Sequence, residues 1–106
     1  MPALADGTFV SGTSDLPLMP GLAEIQGTST VFDKPSGRIV ETYATGTGIT
    51  MSDLVKFYAS TLPQLGWKRT GDLYFERAKE QLLLTAVESG DRITVRFNLS
   101  PLSPQP

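Results

Sequence analysis

The chain has 106 residues, a net charge of −2, and neither cysteine nor histidine. Those absences exclude disulfides, thiol nucleophiles, zinc sites of the Cys/His kind and catalytic dyads or triads built on histidine. The slightly acidic balance argues against a nucleic-acid partner or an anionic membrane surface, and no apolar run approaches the roughly 18 residues of a membrane span.

With 40% hydrophobic and 19% charged residues, the composition suits one folded domain around a single core. Residues 1–14 are rich in Gly, Ser, Thr and Ala, with Phe9 and Val10 as anchors. They read as a mobile N-terminal tail carrying a short edge strand over 8–10. The first residues lack the basic start and apolar centre of a signal peptide, so the expectation for the chain as given is cytoplasmic, or the envelope if it has been processed.

Asp15-Leu-Pro-Leu-Met-Pro-Gly21 is held extended by its two prolines and offers Leu16, Leu18 and Met19 for burial. A strap packed on its own domain is the expectation here, ahead of a Pro-x-x-Pro ligand for an aromatic groove. A short strand over 22–26 is followed by strands over 29–33 and 38–45. Lys34-Pro-Ser-Gly37 between them has turn composition and makes a hairpin. Gly46-Thr-Gly48 is expected to break the second strand. Without Gly-Lys-Ser/Thr or a dinucleotide fingerprint, these glycines indicate no phosphate loop and no cofactor, although any helix N-terminus can hold an anion weakly.

Residues 50–67 read as the single amphipathic helix. Met51, Leu54, Val55, Tyr58, Leu62 and Leu65 fall on one stripe. Thr50 with Asp53 forms a capping box, Gly66 stops the helix, and Pro63 predicts a kinked or unwound last turn before Trp67 opens a return strand. Three further strands follow over 73–77, 81–88 and 92–99. Two-residue turns at Lys79-Glu80 and Gly90-Asp91 would pair Ser89 with Arg92, Ala86 with Val95, Leu84 with Phe97, and also Phe75 with Leu84. Both turns place the same side of the middle strand in the core. Residues 100–106 read as a Pro-rich tail.

One helix covers one face of a sheet. The uncovered face would carry Tyr74, Glu76, Leu83, Thr85, Val87, Arg92, Thr94, Arg96 and Asn98. In this register Tyr74, Thr85 and Arg96 form a row across three strands, with Leu83 and Val87 as apolar contacts beside it. That face is a solvated outer surface, a homodimer contact (there or at the sheet edge), or a binding face for a ligand or protein partner. The acids are scattered and form no carboxylate pair of the kind used in acid–base hydrolysis, and they suggest no metal site.

Asp15 to Leu22 as a Pro-Gly lead-in, Phe57-Tyr58 in the helix, and Leu62-Pro-Gln-Leu-Gly-Trp67 at its end resemble a widespread family of small uncharacterised bacterial domains. The resemblance covers about residues 15–99. It implies a hairpin, a helix ending in Gly-Trp and a strand meander, but no catalytic residues. Many relatives look like exported lipoproteins, whereas this chain shows no lipid-attachment cysteine.

The sequence thus predicts an α+β domain over 15–99: a single mostly antiparallel sheet of about five strands with the helix on one face. The expected role is a non-catalytic binding or interaction module using Tyr74, Leu83, Thr85, Val87 and Arg96, with homodimerisation as one mode. The alternative is a small hydrolase or isomerase that works with Asp or Glu and Tyr or Arg.

Overall fold

Alternating β-branched and aromatic residues account for the longest strands of this protein. A computed structural model describes residues 9–13 and 15–102, and shows one antiparallel seven-stranded sheet with one α-helix. The strands are β1 (Ala23–Glu24), β2 (Thr30–Lys34), β3 (Gly37–Thr47), β4 (Lys68–Gly71), β5 (Tyr74–Arg77), β6 (Glu80–Ser89) and β7 (Arg92–Pro101), and α1 (Met51–Thr61) joins β3 to β4. Their order in space is β1-β3-β7-β6-β5-β4, with β2 also lying against β3. The sheet is therefore larger than the five strands expected. The additional strands are the two-residue β1 and β4, the return strand expected after Trp67, whose Lys-Arg-Thr-Gly is exposed along its whole length.

The capping box forms as expected. Thr50 Oγ1 accepts from the Asp53 N–H at 3.1 Å, and the Asp53 carboxylate accepts from the Thr50 N–H at 3.0 Å. That backbone N–H holds the Asp53 carboxyl below its ordinary range. Pro63 ends regular helix: residues Leu62–Leu65 tighten into a 3-10 turn, and Gly66 closes it with φ 93°, a conformation that favours glycine. Leu54, Tyr58 and Leu62 are buried along the stripe, whereas the tighter winding leaves Leu65 exposed.

Tyr58 joins the helix to the strap. Its hydroxyl donates to Pro17 O at 2.8 Å and accepts from the Met19 N–H at 3.0 Å. Leu16, Leu18 and Leu22 are buried beside it, each worth on the order of 1.5–3 kcal/mol of transfer free energy. Val10 is buried as well and its N–H donates to Leu16 O at 2.9 Å, so residue 10 belongs to the core instead of a mobile tail. Of the edge strand expected over 8–10, Phe9 forms an isolated bridge with Pro17; the rest of the tail before it lies outside the described residues.

Strand β3 does not break at Gly46, because Gly46 serves close approach and not a turn. A Cβ there would lie 2.6 Å from Gly21 O, where the strap crosses the sheet. The β6–β7 register matches the expected one, with Ser89 opposite Arg92, Ala86 opposite Val95 and Leu84 opposite Phe97. The β5–β6 register differs by two residues: Phe75 lies opposite Leu82, and Arg77 opposite Glu80. The turn is therefore Ala78-Lys79, with Ala78 at φ 53°. Its surroundings hold it. Arg77 pairs with Asp15 at 2.8 Å and lies over the Trp67 ring at 4.3 Å, and Lys79 O accepts from the Leu102 N–H at 2.7 Å. A slip of two keeps every side chain on its face, so Phe75 stays in the core. Ser100 and Pro101, expected in the tail, pair with Gln81 and Glu80 inside the sheet.

Candidate functional site

On β3, Val40, Thr42 and Ala44 point to the core, which leaves Glu41, Tyr43 and Thr45 on the other face. β7 alternates in the same way, burying Ile93, Val95, Phe97 and Leu99 and turning Thr94, Arg96 and Asn98 outward. The helix and the strap occupy the core side, so the outer face is uncovered by any described element.

Several rows cross this face, three of them through the expected site residues. Tyr74 lies opposite Leu83, then Asn98, then Glu41; Thr85 lies opposite Arg96, then Tyr43; Val87 lies opposite Thr94, then Thr45. The expected row of Tyr74, Thr85 and Arg96 is thus not formed, because the shifted β5 turn moves Tyr74 one row along, beside Leu83. Thr85 and Arg96 remain direct neighbours. Leu83 is 39% exposed and Val87 69% exposed, standing apart from the polar groups between them.

Those polar groups satisfy one another. Arg96 Nε donates to Glu41 Oε2 at 2.6 Å, with a second contact from Nη2 to the same oxygen. The Tyr74 hydroxyl donates to Gln81 Oε1, and Gln81 Nε2 donates to Ser100 Oγ at 3.1 Å. Arg92 Nη1 donates to Thr45 Oγ1 at 3.2 Å, and that hydroxyl donates in turn to Ile93 O at 3.0 Å. A shallow depression of about 240 Å³ lies between Tyr74, Gln81, Leu83 and Asn98. Because Arg96 already has a carboxylate partner, the centre of this surface offers hydrogen-bonding edges and apolar knobs instead of a free charge.

Glu41 and Tyr43 were missed in the sequence. Their alternation with Val40, Thr42 and Ala44 is legible, but nothing in the sequence places β3 beside β7. Gln81 and Ser100 were missed for a different reason: Gln81 was expected in the strand over 81–88 but away from Tyr74, and Ser100 in a tail that proves to be strand.

Another depression, of about 170 Å³, lies between the strap and the sheet, with Arg38, Trp67, Arg77 and Glu80 among its walls. Trp67 is buried there, and its indole N–H has no acceptor among the described residues. Arg77, over the ring, is committed to Asp15 and to Leu65 O. Among the described residues no group of three or more acids could hold a metal ion, and no helix is long and apolar enough to cross a membrane. No family model, curated protein or solved structure matches the chain.

Proposed function

We propose that this protein is a binding module that engages a protein partner through the outer face of its sheet. One observation carries the reading: Leu83 and Val87 stand exposed on a face whose central arginine, Arg96, is already paired with Glu41. Interface centres are depleted in free charge and favour aromatic, apolar and Arg side chains, the mixture that Tyr43, Tyr74, Leu83, Val87 and Arg96 provide. A catalytic role would need an enclosed site with an unspent acid or base. On this face the acid nearest the centre, Glu41, is held by Arg96, and the depression beside Tyr74 is shallow and contains no carboxylate.

The test is the double substitution Leu83→Lys with Val87→Lys. Both side chains are exposed, so the circular dichroism spectrum and melting temperature should stay as in the parent. A partner captured by the parent chain from its native source should be lost with the variant. Capture that survives both lysines overturns the reading.

A further inference from the structure

The two margins of the sheet are built differently. β4, at one margin, is interrupted by a bulge between Arg69 and Gly71, which discourages another strand from adding to it. β2, at the other, has no proline and no bulge, and its register with β3 runs unbroken from Thr30–Glu41 to Lys34–Gly37. All five of its residues are exposed, including Val31 at 45% and Phe32 at 59%. Among the described residues it has no strand neighbour other than β3.

We propose that β2 is a strand-addition site whose occupant is β2 of a second copy of this chain, joining two sheets edge to edge about a twofold axis through Phe32. The strand's own sequence suits a second copy in one register. Two antiparallel copies related by an axis perpendicular to the sheet keep their faces aligned only when a residue, not a peptide bond, lies on the axis. Centring on Asp33 sets Asp33 against its own copy, and centring on Lys34 does the same for lysine, both like-charge oppositions that destabilise a pair. Centring on Val31 leaves Asp33 and Lys34 opposite Ser29 and Thr28, outside the strand. Centring on Phe32 pairs all five residues. Lys34 faces Thr30, Asp33 faces Val31, and Phe32 faces its own copy as an aromatic cross-strand pair. Asp33 meanwhile keeps its ion-pair contact with Arg38 on the neighbouring strand, at 3.7 Å.

Phe32 pairs with Ile39 and so lies on the outer face, the same side as Leu83. The assembly would therefore place both open faces side by side, continuous across the axis. It uses a different surface from Leu83 and Val87 and stands or falls independently of the partner-binding reading.

The chain has no cysteine, which makes cross-linking diagnostic. Directly opposed residues bring their Cα atoms within disulfide range, so Phe32→Cys should form a disulfide dimer under mild oxidation at least about tenfold faster than the outer-face control Val87→Cys. Val31→Cys and Asp33→Cys should each cross-link poorly alone but readily when mixed. Phe32→Lys, an exposed position that should leave the melting temperature unchanged, should reduce the concentration-dependent mass of the otherwise unmodified chain in light scattering to that of a monomer. Leu83→Lys should leave that mass as it is. Equal rates for Phe32→Cys and Val87→Cys, no cross-link in the mixture, or a parent chain monomeric at every concentration would overturn the proposal.

Discussion

The covered and open faces of the sheet are made from neighbouring residues on the same strands, yet they spend their side chains in opposite ways. On the covered face, Phe75, Leu82, Leu84, Val95 and Phe97 pack with Leu54, Tyr58 and Leu62, and polar side chains are few there: Thr42, the Trp67 indole N–H and the Tyr58 hydroxyl. That hydroxyl has both its partners, Pro17 O and the Met19 N–H. On the open face polar groups predominate and are satisfied sideways, strand to strand, while two aliphatic side chains project into solvent. Satisfaction on the first face determines stability; on the second it leaves the knobs as the features another molecule would meet.

Substitutions should separate the two. The largest effect is expected for Phe97→Ala, which removes a buried ring packed edge-on to Tyr58 at 5.9 Å. A loss of about 3–5 kcal/mol is expected in urea unfolding. Next is Tyr58→Phe, which keeps the ring but strands the Pro17 carbonyl and the Met19 N–H. That should cost about 1–3 kcal/mol. A loss near zero would show that the strap is held by its leucines alone.

Tyr58 also predicts an alkaline limit. Burial pushes its hydroxyl well above the ordinary value of 10.0, the hydrogen bond to Met19 offsetting only part of this. Below pH 10 the group is neutral folded and unfolded, and its contribution is whole. Above pH 10 the unfolded chain ionises there while the folded one does not, so stability falls as pH rises. Urea midpoints from about pH 9 to about pH 11 should decline more steeply for the parent than for Tyr58→Phe.

Asp53 works at the other end of the scale. Its carboxyl is held down in the folded state by the Thr50 N–H, so its small contribution is present at neutral pH and fades as acid titrates it. Asp53→Asn should flatten the acid side of the stability curve slightly. The smallest effect on stability, within about 0.5 kcal/mol, belongs to Leu83→Lys on the open face. If it costs as much as a core truncation, the distinction between the faces fails.

The parts of this organisation that depend on local periodicity can be read in the sequence. Thr50 and Asp53 announce the cap, Pro63 and Gly66 the end of the helix, and the alternation from Ile93 to Leu99 the buried face of β7. What cannot be read is pairing that depends on distant neighbours. A turn beside Lys79 is legible, but nothing local puts it at Ala78-Lys79, where the positive φ of Ala78 is accompanied by the contacts of Arg77 with Asp15 and of Lys79 with Leu102. The candidate face was legible in composition through Tyr74, Leu83, Thr85, Val87 and Arg96. Its arrangement was not, since the ion pair and the row through Tyr43 exist only once β3 lies beside β7.

That pairing of β3 with β7 also bears on how the chain acquires its structure. Its partners run from Thr47 with Arg92 to Val40 with Leu99, about half the chain apart. Synthesis delivers β7 last of the described strands, so the early hairpin should leave Val40 and Ala44 without that neighbour until it emerges. Long-range antiparallel closure of this kind belongs to the slow end of two-state folding, about milliseconds to seconds. A nascent chain halted before Arg92 should therefore be a substrate for chaperones and proteases, and release of the final strand should end that vulnerability in one cooperative step.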